Sequence, residues 1–143
     1  MKLLASTDFA LRILMVLANE PSDRPFSVEA LAQKLGGLSR NHLHKIVQEL
    51  ASLHLVQTFR GAGGGVALAV SPHEVRIGTL VRQLEEDQPI VECFRADGGC
   101  CTLSAGCRLR GLIRVAQENF YRNLDGYTLA DCVASLPARV APR

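Results

Sequence analysis

Residues 92–107 read ECFRADGGCCTLSAGC, and four of the chain's five cysteines fall within these sixteen positions. Clustered thiols point to metal ligation or thiol redox chemistry, because a thiolate is both a soft ligand and a nucleophile. The segment is too polar and too glycine-rich for a core helix or strand. Fixing the backbone of the roughly thirteen residues between Cys93 and Cys107 costs about 1–2 kcal/mol each. Phe94 and Leu103 are its sizeable apolar side chains, worth about 1.5–3 kcal/mol apiece on burial. Contacts of its own therefore do not order the loop. Thiolate–metal bonds would, and the order would then depend on the metal.

The spacing is Cys93-x7-Cys101-x5-Cys107, or x6 on both sides if Cys100 replaces Cys101. Structural zinc sites use a close C-x2–4-C pair, which is missing here. Iron–sulfur clusters accept widely spaced thiolates, although the common ferredoxin spacings are missing too. Spacing weighs against zinc without establishing iron. Adjacent Cys100 and Cys101 are not expected to ligate one site together. Cys132 falls on a short last helix, where small apolar packing is its expected role. A zinc or thiol–disulfide sensor is the alternative on the same architecture. A small thiol or iron–sulfur oxidoreductase ranks lower, since the sequence carries neither a nucleotide-binding fingerprint nor a catalytic base near the cysteines. The chain is therefore not expected to be an enzyme. His42, His44, His54 and His73 all lie in or beside the other half of the chain.

The elements that must position this loop are mainly helical. The 143 residues are 48% apolar and only 5% aromatic, with no tryptophan. That suits one small domain with an extension, packed from Leu, Ile, Val and Ala helices. The net charge of +2 permits a nucleic-acid partner without announcing one. Asp8 and Arg12 interrupt the apolar N-terminal run, and no cleavage site follows it. It reads as an amphipathic helix rather than a signal peptide. No segment has the apolar length of a membrane span, so a cytoplasmic location is expected and no membrane partner. In that reducing setting thiols bind metals more readily than they pair.

Periodicity predicts a first helix over 6–19, with Phe9, Ala10, Ile13, Leu14 and Leu17 on one face. Ser27 caps a second helix bearing Val28, Leu31 and Leu35. Gly36-Gly37 turns the chain, and Ser39 caps a third helix over 40–53. Two β-prone runs around a glycine-rich tip, LVQTFRGAGGGVALAV, predict a hairpin. SPHE at 71–74 predicts a capped helix start, Pro72 at its first position and Glu74 closing the box, with Ile77, Leu80, Val81 and Leu84 as its packed face. From Arg108 a helix of about 25 Å carries Leu109, Leu112, Ile113, Ala116, Phe120 and Leu124, an apolar stripe that needs a partner. TLAD at 128–131 predicts a second capping box and a short final helix.

Helix, short helix, glycine turn, helix, hairpin is the order of a winged helix–turn–helix. On the third helix Leu43, Ile46, Val47 and Leu50 fill the core face. Asn41, His44, Lys45 and Gln48 fill the opposite one with groups suited to base edges and phosphates. Ser39 and Arg40 stand at its N-terminus, where a phosphate is favoured. Between Lys34 and Arg60 the charges are Lys34, Arg40, Lys45 and Arg60 against Glu49, the basic balance that phosphate binding requires. RGAGGG at 60–65 lacks the Gly-Lys-Ser/Thr ending of a P-loop. As a wing tip, its Gly63 and Gly64 let the backbone approach the minor groove beside Arg60.

With these residues in place a resemblance is plain. STDFALRILMVLA, LSRNHLHKIVQELASLHLVQTFRGAGGGVALA, VECF…C…CRLRGL and LDGYTLADC resemble the winged-helix iron–sulfur transcriptional regulators of the IscR/NsrR family, above all its nitric-oxide-sensing branch. No histidine follows Cys107 closely, unlike the IscR branch. The resemblance implies three cysteine ligands. Cys93 and Cys107 match directly, and the family's x5 gap selects Cys101 over Cys100. It also implies Asp8 of the partner subunit as a further ligand. The cofactor expected is an iron–sulfur cluster, [4Fe–4S] in preference to [2Fe–2S]. The expected protein is a homodimeric repressor that binds double-stranded, near-palindromic operator DNA and lets go when nitric oxide damages the cluster. The fold class is then mainly α. Residues 1–86 form a winged helix–turn–helix DNA-binding domain with a β-hairpin wing, and 87–107 the cluster-binding loop. Residues 108–136 supply the long dimerisation helix and a short C-terminal helix, and 137–143 a flexible tail.

Overall fold

A computed structural model of the chain describes residues 2–20, 23–103 and 105–137; the expected tail lies outside them from 138 onward. Helix α1 (Ala5–Asn19) buries Thr7, Ala10, Ile13, Leu14 and Leu17, a stripe at helical spacing. No side chain caps its start. Instead the Leu4 N–H donates to Glu85 Oε1 at 2.9 Å, which ties the entry of α1 to the far end of a later helix.

Helices α2 (Val28–Lys34) and α3 (Arg40–Ser52) begin at the serines the sequence pointed to. Ser27 Oγ accepts from the Ala30 N–H at 3.1 Å, and Ser39 Oγ from the His42 N–H at 3.3 Å. Gly36 and Gly37 between them both sit at positive φ, 78° and 83°, which a Cβ disfavours. Leu43, Ile46, Val47 and Leu50 of α3 are all buried. Strands β1 (Val56–Phe59) and β2 (Gly65–Leu68) pair antiparallel, Val56 opposite Leu68 and Phe59 opposite Gly65. Phe26 and Val66 exchange two backbone hydrogen bonds of 2.8 Å, so the hairpin is also stitched to the segment entering α2. Gly65 permits this: a Cβ there would lie 2.0 Å from the Phe26 carbonyl oxygen.

The SPHE box forms, with the Ser71 N–H donating to Glu74 Oε2 at 3.2 Å, but it caps only a single 3-10 turn, Pro72–Glu74. Helix α4 starts afresh at Ile77 and runs to Leu84. The expected continuous helix is broken because Val75 turns extended (φ −88°, ψ 102°) to accept a bond from the Leu129 N–H, while the Ile77 N–H donates to the Tyr127 carbonyl. A tertiary pairing outcompetes local helix propagation. Helix α6 (Leu129–Val133) closes with its own capping box between Thr128 and Asp131. Cys132 is half-buried against the core, as expected of a small apolar side chain.

Helix α5 (Arg108–Asp125) lies antiparallel on α4. Gly78 sets the approach, since a Cβ there would fall 2.0 Å from the Tyr121 carbonyl oxygen. The Thr79 N–H and hydroxyl both donate to Asp125 Oδ1, at 2.6 and 3.0 Å. The Arg82 fork grips Glu118 at 2.9 and 3.0 Å. The expected single stripe of α5 is thereby divided. Phe120 and Leu124, with the unexpected Tyr121, pack onto the core, whereas Leu109, Leu112 and Val115 stay 62%, 56% and 60% exposed. One core joins Ile13, Leu14, Leu31, Leu43, Ile46 and Leu50 to Val81, Tyr121 and Leu129. Among the described residues no helix is long and apolar enough to cross a membrane.

Candidate operator interface and cysteine loop

Burying the apolar face of α3 turns its other face outward. Ser39, Arg40, Asn41, His44, Lys45 and Gln48 are all exposed there. Ser39 is occupied as the helix cap. Arg40 forms an ion pair with Glu29 of α2. A groove of about 400 Å³ runs between α3 and the wing, and Arg40, His44 and Gln48 meet Thr58, Phe59 and Arg60 across it. Asn41 and Lys45 stand on the exposed helix outside this groove. The wing tip turns through Gly61 and Gly63 at φ 88° and 78°, closed by a 3.0 Å bond from the Gly64 N–H to the Gly61 carbonyl. Open space surrounds the position of a Gly63 Cβ, whereas one on Gly64 would meet the Phe59 carbonyl at 2.4 Å. Gly63 is therefore a bare backbone apex and Gly64 a packing requirement. Sequence reasoning missed Glu29 and Phe59. Phe59, 47% exposed on a short edge strand, borders the groove beside Arg60.

The cysteine loop joins the end of α4 to the start of α5. From Glu86 to Leu109 no described residue is buried. Leu103 is 73% exposed, and Phe94 lies half-buried under the Arg114 guanidinium, 5.3 Å from its ring centroid. Local polar bonds shape the first part. Asp97 accepts from Arg95 Nε and from the Gly99 N–H, both at 3.0 Å, and Glu92 Oε1 accepts from the Cys100 N–H at 3.1 Å. The Arg95 fork and the Gly99 bond hold the Asp97 carboxyl below the usual carboxylate range. Gly99, at φ 63°, has Glu92 where a Cβ would go.

Cys93 sits in a 3-10 turn, Glu92–Phe94, and Cys107 is the N-cap residue of α5, where the helix dipole favours negative charge. Cys100 is exposed, and Cys101 half-exposed between them. Among the described residues no three His, Cys, Asp or Glu side chains are grouped as for a metal ion. Asp8, in the first turn of α1, pairs with Arg12 at 2.7 Å and is half-exposed.

A cavity of about 750 Å³ opens between α4, the loop and α5, with Cys93, Phe94, Arg110, Arg114 and Tyr121 on its wall. Arg110 lines it, and its Nε is buried without a hydrogen-bond partner among the described residues. Of the loop thiols Cys93 borders this cavity; soft thiol donors on the loop and arginines that would balance an anionic cluster are chemistry that suits an iron–sulfur group. The two cavity arginines of α5 escaped sequence reasoning. Their signal was the i, i+4 pair Arg110 and Arg114 just behind Cys107, like charges that a free helix would avoid.

A three-helix reading head with a glycine-tipped wing defines a DNA-binding regulator. A family model described as Rrf2, iron-dependent transcriptional regulator, matches residues 3–135. The HTH-type transcriptional regulator NsrR of Geobacillus kaustophilus is 43% identical over 131 residues, covering 92% of this chain and 88% of that protein. NsrR of Halalkalibacterium halodurans is 39% identical over 135 residues, 94% and 92% of the two chains. The solved structure of T. potens IscR matches with a TM-score of 0.74 at 23% identity, over 96% of this chain and 89% of that one, a likeness of fold. The chain belongs to the Rrf2 family, among its NsrR-like members, and is a DNA-binding transcriptional regulator rather than an enzyme.

Proposed function

We propose that the chain is a homodimeric repressor that reads a near-palindromic operator with α3 and its wing. In this reading Cys93, Cys101 and Cys107, with Asp8 of the partner subunit, hold an iron–sulfur cluster, a four-iron one in preference to a two-iron one, and nitric oxide is the signal. Cys100 is the substitute for Cys101. The observation that carries the proposal is the loop itself: thiols at both its ends, and from Glu86 to Leu109 no buried residue among those described to order it. When bound, the cluster supplies a gas-reactive iron centre and a rigid link between loop and helices. The exposed Leu109, Leu112 and Val115 give α5 an apolar face for a second copy, and two reading helices then meet two half-sites.

The protein's own contacts carry the coupling. The loop begins where α4 ends, and there Glu85 holds the Leu4 N–H at the entry of α1. Helix α1 packs on α3 through the shared core. To ligate, Asp8 must share or release its bond to Arg12, so binding at the loop alters how α1 is held. A hundredfold to thousandfold change in operator affinity needs a coupling of about 2.7–4.1 kcal/mol.

The test is anaerobic purification, iron and acid-labile sulfide analysis, and operator mobility shifts before and after stoichiometric nitric oxide. Iron and sulfide in the protein, with the shift abolished by the gas, are expected. Zinc without sulfide, or operator binding unchanged by nitric oxide, would contradict the proposal.

A further inference from the structure

Four arginines line the cavity that contains Cys93: Arg82, Arg95, Arg110 and Arg114. Three have visible partners. Arg82 holds Glu118, Arg95 holds Asp97, and Arg114 covers the Phe94 ring. Arg110 differs, because its Nε is buried with no acceptor among the described residues. A buried donor without an acceptor is costly and uncommon in native proteins, and a cationic one is costlier still. Its place in the sequence says what acceptor would answer it. Arg110 is three residues beyond Cys107, the N-cap of α5, and it lines the cavity that Cys93 borders.

We infer that Arg110 is a positioning residue for the cluster proposed above, its Nε–H donating to a thiolate or sulfide sulfur held between Cys93 and Cys107. The inference rests on that reading. Sulfur carrying negative charge accepts such a bond, and hydrogen bonds to sulfur tune both the durability and the potential of iron–sulfur centres. Without the cluster the guanidinium Nε has no partner among the described residues. Arg110 therefore strengthens the loaded protein and does nothing for the empty one, a pattern a purely structural arginine does not produce.

The experiment compares wild type, Arg110→Gln and Arg110→Lys, purified without air. Iron and sulfide per chain and the lifetime of the visible absorbance against a fixed chelator concentration are measured, together with the thermal midpoint of each cluster-free protein. Arg110→Gln is expected to lose its cluster about tenfold faster than wild type. Arg110→Lys, which keeps the charge without the planar fork, falls between them. The cluster-free midpoints are equal, or slightly higher for Arg110→Gln, because an unanswered buried donor has been removed. A Gln variant whose cluster lasts as long as the wild type's overturns the inference. So does a cluster-free midpoint of Arg110→Gln well below that of the cluster-free wild type, which makes Arg110 a structural prop. Wild type free of iron and sulfide overturns the cluster reading itself.

Discussion

Substitution of Gly78 by alanine reads the helix contact on which the loop is hung. Alanine is the better helix former by about 1 kcal/mol, so an isolated α4 would gain. In the folded chain the new methyl would lie 2.0 Å from the Tyr121 carbonyl oxygen and 2.8 Å from the Asp125 amide nitrogen, both backbone atoms. Neither can swing aside as a side chain would, so α5 must move outward. Overpacking of this kind costs about 1–3 kcal/mol. The move also stretches the two bonds from Thr79 to Asp125, worth about 0.5–1.5 kcal/mol each. The net loss is about 3 kcal/mol, and for a chain of this size the thermal midpoint falls by about 10 °C. Gly111, also within a helix, is the control: nothing lies within 4 Å of its Cβ position, so Gly111→Ala is expected to be neutral or to stabilise by up to about 1 kcal/mol. Circular dichroism melts of both variants measure the pair. Equal melting of Gly78→Ala and Gly111→Ala would refute the close α4–α5 contact.

Three further outcomes are expected. Glu29→Gln releases Arg40 from its ion pair and removes a negative charge from the reading surface, so affinity for operator and for random DNA rises up to about fivefold; unchanged binding by fluorescence anisotropy at low salt would show that Arg40 meets no phosphate. Glu118 is held below its usual range, chiefly by its hydrogen bond from Arg82. Its contribution is therefore full above the unfolded carboxylate value of 4.5 and is lost as pH falls through the depressed folded value, so Glu118→Gln should flatten the fall in stability below pH 4.5, measured by urea melts in acid. Burial pushes the Cys132 thiol up, while Cys100 is exposed; in cluster-free protein iodoacetamide should label Cys100 well before Cys132, and the reverse order by peptide mass spectrometry would contradict their placement.

Much of the reading head was legible because its signals are local. Ser27 and Ser39 cap helices through bonds three residues away, Gly36-Gly37 needs only its own φ angles, and the stripe Leu43, Ile46, Val47, Leu50 follows from helix pitch. Where local signals competed with distant ones, the sequence misled. SPHE has every mark of a helix start, yet Val75 and Ile77 are claimed by Leu129 and Tyr127 some fifty residues on. The same holds for α5, whose stripe looks uniform in sequence and is split by α4 into a covered half and an open half.

The residue types in the chain determined by themselves that four thiols share a loop with little apolar surface of its own, and that a basic polar helix face stands beside a glycine-tipped wing. Composition and spacing carry that much, because both depend on neighbours along the backbone. Only the tertiary structure decided that Gly78 lets α5 lie against α4, that Glu29 holds Arg40, and that Arg110, whose buried Nε–H no described residue answers, lines the cavity at Cys93. Those relations join positions far apart in the chain, and burial and hydrogen-bond partners at such separations exist only once the core has closed.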